Sequence, residues 1–290
     1  VADDGGSSGE IRQAIQVTPP GDLRNVLLAM SDTPRLYEKI FQYRFAESDG
    51  PLAGHPLGNL IIAGISEMQG STYNAMRLLT RFFHTTGRIY PSSEEPLTLH
   101  AVFTDGTEVV GESKIADYKG MIGHVYVTNT YNDGEPKASR QVVQSIMDSD
   151  LVVLGPGSLY TSILPNIMIP DIGKALCETE AQVVYICNIM TQRGETESFT
   201  DANHVSVLNA HLACPFVDTV LVNIEPVPKE YMNTHDFDEY LVQVKHDFRG
   251  LEEQGCRIIS SNFLKLENGG AFHDGDLVVE ELFNILQVRT

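Results

Sequence analysis

An alternation in the second half of the chain constrains its fold more than any other feature. Three short runs of branched and aliphatic residues, "SDLVVLG", "AQVVYICNI" and "VDTVLVNI", are separated by stretches with helical spacing. Uninterrupted apolar runs of about four to eight residues predict strands buried on both faces of a sheet. Between them, "MIPDIGKALCETE" predicts a helix with Pro170 in its first turn. "DANHVSVLNAHLA" predicts another, with Val205, Leu208 and Leu212 on one face. Strand, helix, strand, helix, strand requires crossovers, and crossovers give a parallel sheet covered by helices. A helix carrying Val142, Val143, Ile146 and Met147 precedes this series, "CRIISSNFL" adds a strand, and "VVEELFNIL" closes it with a helix.

The first half follows different rules. Leu23, Val26, Leu27 and Met30 form one helical stripe, and "PRLYEKIFQYRFAE" forms a second. "HPLGNLIIAGISEMQGSTYNAMRLLTRFF" predicts two helices broken near Gly70. "LTLHAVFTDGTEVVGES" has the alternation and the Asp-Gly turn of a β-hairpin, which "GHVYVT" extends. The expected fold is therefore α/β, with a parallel core in residues 136–290 and helical and hairpin elaborations in residues 34–135.

Charge and motif content exclude several functions. Against 39 acidic residues stand 20 basic ones, and a net charge of −19 repels nucleic acid and anionic lipid. A small anion is still allowed, because the amides at helix starts attract phosphate whatever the global charge. No run approaches the ~20 apolar residues of a membrane span. The first residues lack the basic and apolar regions of a secretory leader, which predicts a cytoplasmic protein. Cys177, Cys187, Cys214 and Cys256 contain no C-x-x-C pair, so four reduced thiols and no zinc knuckle are expected. No H-x-x-x-H pair or Walker A loop occurs, which argues against zinc hydrolases and P-loop kinases. G-x-G-x-x-G is also absent, so an oxidoreductase using a dinucleotide such as NAD is the weakest of the readings that remain.

Three loops share one design, in which a strand ends, small or polar residues follow, and a helix begins. In an open parallel sheet such loops gather at the carboxyl ends of the strands, where ligands bind. In "VADDGGSSGE", adjacent Asp3 and Asp4 suit a hydrated Mg²⁺ that bridges phosphate oxygens. Successive side chains of an extended segment point opposite ways, so only one aspartate is expected to face the ligand while the other caps a helix or anchors the loop. Ser7 and Ser8, beside Gly5 and Gly6, offer donors to phosphate. In "VVLGPGSLYTS", Gly155 and Gly157 let amides approach a diphosphate, and Ser158 caps a helix or donates to an oxyanion. In "YICNIMTQRGETES", Asn188, Thr191, Gln192, Glu195 and Thr196 suit hydroxyls or the edge of a base. "GHPLGNL" places His55 and Asn59 at a helix start, with His55 as a cap or a general base. Each of these loops read alone is equally a tight turn or a solvated surface.

Taken together and in order, "VADDGGSSG", "GHPLGNL", "LGPGSLYTSILPN" and "TQRGET" resemble the motifs of the gluconeogenesis factor (YvcK-like) family, a branch of the CofD-like superfamily that includes 2-phospho-L-lactate transferase. The resemblance runs over nearly the whole chain. It implies one CofD-like domain over residues 1–290, with a Rossmann-like three-layer α/β/α architecture. It adds Pro156, Tyr160 and Gly194 to the candidate ligand contacts. The family's usual first strand and G-G-G-T-G loop are not in the sequence given, so Val1-Ala2 is expected to be the end of a strand. The YvcK-like branch implies a nucleotide-diphosphate ligand, a UDP-sugar such as UDP-N-acetylglucosamine, with a regulatory role in cell shape and gluconeogenic growth. The transferase branch implies Mg²⁺ at Asp3 and Asp4 and transfer of a phosphorus-containing group to a deazaflavin. The expectation favours recognition over catalysis and leaves room for a homo-oligomer.

Overall fold

The computed structural model describes residues 2–118, 120–232 and 239–287. Val1, expected to end a strand, lies outside them. A front layer comes first: α1 (Gly6–Ile15), α2 (Pro20–Ala29), α3 (Arg35–Gln42), α4 (Leu57–Gln69) and α5 (Thr72–Phe82). Leu27, Phe41, Ile62, Met76 and Phe83 are its buried core. The predicted break between α4 and α5 falls at Gly70, whose φ of 63° is left-handed. Ser71 then caps α5 by accepting from the Asn74 amide. The second predicted stripe is helical only as far as Gln42, because Tyr43 is extended and Arg44 bridges to Pro56.

Next come β1 (Leu97–Phe103), β2 (Glu108–Val110), α6 (Glu112–Asp117) and β3 (Ile122–Asn129). The strands form an antiparallel sheet in the order β2-β1-β3, with the Asp105-Gly106 turn closing the hairpin as expected. Leu97, Leu99, Ala101 and Phe103 alternate toward the main core while their neighbours are half-exposed.

The crossover half contains α7 (Arg140–Met147), β4 (Leu151–Leu154), a π-type turn (Leu159–Ile163), α8 (Leu164–Ile167), α9 (Pro170–Glu178), β5 (Gln182–Ile186), β6 (Met190–Gln192), α10 (Asp201–Leu212), β7 (Thr219–Asn223), β8 (Tyr240–Gln243), α11 (Phe248–Glu253), β9 (Arg257–Ser261), β10 (Leu264–Glu267), β11 (Gly270–His273) and α12 (Gly275–Gln287). Strands β4-β5-β7-β9 form a parallel sheet in that order. Its pleat sorts the side chains: Val183, Tyr185, Val220 and Val222 face Leu176, Val205 and Leu208 of α9 and α10. Val184, Ile186 and Leu221 face Val278 and Ile285 of α12 on the opposite side. Helices on both faces explain why β7 is buried along its whole length.

Two expectations need correcting. The "LVVL" run is not buried on both faces: β4 is an edge strand paired to β5, and Val153 is 38% exposed. Nor are all four cysteines reduced core thiols. Cys177 at the end of α9 and Cys214 just after α10 form a disulfide, because packing brings their Cα atoms within 6.5 Å. Cys187 and Cys256 are free and buried. No helix among the described residues is long and apolar enough to cross a membrane.

Candidate functional site

The loop after β4 turns sharply. Gly155 has φ 82°, and a Cβ there would lie 3.3 Å from the Ile186 carbonyl oxygen. Glycine alone satisfies both constraints. The Gly155-Pro156 bond is cis. Ser158 then caps the π-type turn, its Oγ accepting from the Thr161 amide at 3.2 Å.

Its hydroxyl is already committed. Ser158 Oγ donates to Glu195 Oε2 at 2.5 Å, Tyr160 N donates to the same oxygen at 3.3 Å, and Thr161 Oγ1 donates to Oε1 at 3.2 Å. Glu195 is 5% exposed, and burial pushes its carboxyl above the usual range against the pull of these three donors. Glu195 is thus a clamp between the second and third loops. Tyr160 is 1% exposed and lies in the core beside Phe199 and His211. Thr196 Oγ1 accepts from the Gln192 amide at 2.9 Å and tightens the third loop. Thr191 Oγ1 exchanges hydrogen bonds with the Val242 backbone, joining β6 to β8. Gly194 (φ 75°) brings the third loop against the Ala116 and Tyr118 carbonyls at the end of α6.

These two loops, with the β10–β11 hairpin, enclose a cleft of about 360 Å³. Pro156, Gly157, Ser158, Asn188 and Gln192 line it, as expected of loops at the carboxyl end of β4 and β5. Asn188 Oδ1 is buried without a hydrogen-bond partner among the described residues. An orphaned buried acceptor costs roughly 1–3 kcal/mol unless a donor arrives from elsewhere. His273, which belongs to none of the sequence motifs, ends β11 and lines the cleft. Its Nε2 donates to the Cys187 carbonyl at 3.1 Å, and burial holds its pKa below the usual imidazole value. The neutral ring therefore keeps Nδ1 as a free acceptor. A signal for this wall existed: Asn268-Gly269, both at positive φ, form the turn typical of a two-residue hairpin. Tyr231 and Tyr240 complete the wall from segments that no local sequence signal brings here.

The first loop is placed differently. Asp4 Oδ1 accepts from both the amide and the hydroxyl of Ser113, each at 2.9 Å, and so caps α6. A Cβ on Gly111 would sit 2.4 Å from Asp4 Oδ2, so the "GES" glycine is what lets the carboxylate in. Asp3 Oδ1 accepts from the Gly5 amide at 2.9 Å, and Oδ2 has no hydrogen-bond partner among the described residues. Ser8 is 5% exposed and accepts from the Gly21 amide. Ser7 Oγ lies 2.8 Å from His55 Nδ1 and receives a 3.1 Å bond from Asn59 Nδ2. His55 Nε2 is 3.1 Å from Glu10, so the imidazole ties α1 to the start of α4. Gly5 and Gly6 form the entry to α1, whose N-cap has no side-chain bond. Glu112 is pushed up to about 7 by burial first, then by Asp3 and Asp22.

For a divalent metal, these positions divide. Asp4 is spent on α6, whereas Asp3 keeps one free oxygen beside the crowded Glu112 carboxyl. No group of three acidic, His or Cys side chains among the described residues is arranged to hold a metal. One carboxylate with water and phosphate oxygens matches the way Mg²⁺ is usually held.

An open parallel sheet flanked by helices, with a cleft at its carboxyl edge, is a Rossmann-like α/β architecture. The sequence profile of 2-phospho-L-lactate transferase CofD matches residues 1–264, and this chain belongs to that family. It is 72% identical over its whole length to a Streptococcus pneumoniae protein named "Putative gluconeogenesis factor", covering 89% of that protein. A Bacillus subtilis protein named "Gluconeogenesis factor" is 40% identical over 99% of the chain and 89% of its own length. A solved Bacillus halodurans structure, described as a member of the UPF0052 family, superposes with a TM-score of 0.91 at 37% identity. That match covers 98% of this chain and 89% of the other.

Proposed function

We propose that this chain is a cytoplasmic regulatory protein that binds a UDP-sugar such as UDP-N-acetylglucosamine in the cleft between the second and third loops. Its role, by its relatives' names, is in gluconeogenic growth, and we extend it to control of cell shape. The buried, unpartnered Asn188 Oδ1 carries this reading. A ligand donor would satisfy it, and the imide N–H of a uracil or a sugar hydroxyl supplies one. The neutral His273 offers a second acceptor in the same cleft. The Gly155–Ser158 backbone lies where a diphosphate binds in folds of this kind.

Calorimetric titration with UDP-N-acetylglucosamine tests the reading, using protein that carries any residues preceding Val1. Saturable heat is expected, and Gly157→Asp should abolish it while thermal unfolding is unchanged. Gly157 has no positive φ, and a Cβ there meets Ser162 Cβ at only 3.4 Å, so the loop accepts the side chain. Absence of heat with every UDP-sugar overturns the assignment.

A second reading is a Mg²⁺-dependent transferase of phosphorus-containing groups, and a particular observation favours it. A further cavity of about 530 Å³, lined by Tyr118, Glu195 and Phe199, adjoins the third loop where an aromatic acceptor would be needed. Incubation with Mg²⁺, a nucleotide donor and a deazaflavin acceptor gives product if this reading holds.

A further inference from the structure

The front layer contains a concavity that shares no residue with the cleft. It has a volume of about 310 Å³ and lies between α5 and the chain that follows. Its charged lining is Arg77, Arg81 and Arg88, with no carboxylate. Tyr73 and Tyr90 stack near-parallel beside them, ring centroids 5.6 Å apart at 19°. In a chain with 39 acidic and 20 basic residues, this is a local reversal of sign.

The three guanidiniums also lack partners. Three of the four other arginines of this layer are occupied: Arg12 donates to the Leu97 carbonyl, Arg24 to Asn59 and Arg44 to the Gly54 carbonyl. Arg77, Arg81 and Arg88 make no ion pair or side-chain hydrogen bond among the described residues. Arg77 and Arg81 stand four residues apart on one face of α5, where like charges repel. The helix dipole favours Arg81 in the last turn but leaves Arg77 and Arg88 unexplained. Three forked donors without a protein acceptor, gathered at one concavity, suit an anion. Guanidinium forks fit phosphate oxygens in pairs, and tyrosine faces and hydroxyls suit a hydroxylated carbon body.

We propose that this pocket binds a small phosphorylated metabolite, its phosphoryl group on Arg77, Arg81 and Arg88 and its sugar-like body against Tyr73 and Tyr90. The site is independent of the cleft and makes the front layer a second ligand-sensing surface.

Calorimetry on the full chain at constant ionic strength tests it, with ribose 5-phosphate, inorganic phosphate and sulfate as probes. Ribose 5-phosphate should bind saturably and more tightly than either inorganic anion. Arg77→Ala and Arg88→Ala should each weaken it by about tenfold or more, the loss expected for charged hydrogen bonds. Arg88→Lys should fail to restore affinity, because an ammonium lacks the fork. Gly157→Asp should leave this binding unchanged, which separates it from the cleft. Arg77 and Arg88 are exposed, so matched thermal unfolding is expected for all variants. Equal affinity for inorganic phosphate, binding that survives both alanine variants, or no saturation would each overturn the proposal. A phosphopeptide or nucleic acid that outcompetes ribose 5-phosphate would overturn it as well.

Discussion

The loops after β4 and β5 are locked to each other, whereas the loop leading into α1 is tied to the front of the molecule. In the first pair, most of the polar side chains that suggest ligand contacts are consumed by the lock. Ser158, Thr161 and Glu195 satisfy one another, and Thr191 and Thr196 hold backbone. Backbone, Asn188, Gln192 and His273 are left to face the cleft. In the α1 loop the division falls within one dipeptide: Asp4 is structural and Asp3 keeps a free oxygen. Polarity marks both kinds of loop alike, and burial separates the side chains that build a site from those that can meet a ligand.

The largest expected effect comes from breaking the lock. Glu195→Ala strands two hydroxyls and the Tyr160 amide in a buried place, and should cost about 3 kcal/mol in urea unfolding. Glu195→Gln, which keeps one acceptor oxygen, should cost less. If the alanine variant loses under about 1 kcal/mol, the clamp is no stronger than an exposed pair, and the contrast between the loops fails. A smaller effect tests the other loop. Asp4→Ala removes the cap of the short α6 and should cost about 1 kcal/mol, within the usual range for caps. UDP-sugar affinity should hardly change, since Asp4 does not line the cleft. A large loss of affinity with unchanged stability would instead place Asp4 on the ligand.

What could be read from sequence was local. The Gly70 break, the Asp105-Gly106 hairpin, the crossover helices and the buried β7 follow from spacing and turn chemistry within about ten residues. Features that depend on distant pairing were not legible. The edge position of β4 depends on the sheet order, and the Cys177–Cys214 bridge on the meeting of two helix ends 37 residues apart. The β6–β8 ribbon is a long-range pairing of the same kind. The Asn268-Gly269 hairpin is an exception: its turn signal was present locally, but nothing indicated that it would close over the cleft. For the site, loop order and residue type located the edge, while the division of labour within each loop required knowing which side chains are buried.

His273 sharpens the comparison most finely, because it is a cleft residue on neither of the two locked loops. Its Nε2–H is held by the Cys187 carbonyl, and burial keeps its folded pKa below the ordinary value of 6.5. The unfolded chain therefore binds the proton more readily than the folded one. The stability this histidine supports is fully present above about pH 6.5 and is lost as the pH falls through its lower folded pKa. Protonation also turns Nδ1 from an acceptor into a donor, removing one of the two acceptors offered to the ligand. UDP-sugar affinity should therefore fall as the medium is acidified below neutrality, and His273→Gln should flatten that dependence. The Glu195 clamp cannot produce the same profile. Its carboxyl is raised by burial, so acidification protonates the folded form first and stabilises it relative to the unfolded chain. Affinity that drops on acidification in the parent and not in His273→Gln assigns the effect to the hairpin wall. An unchanged slope in the variant would show that His273 is not the group responsible.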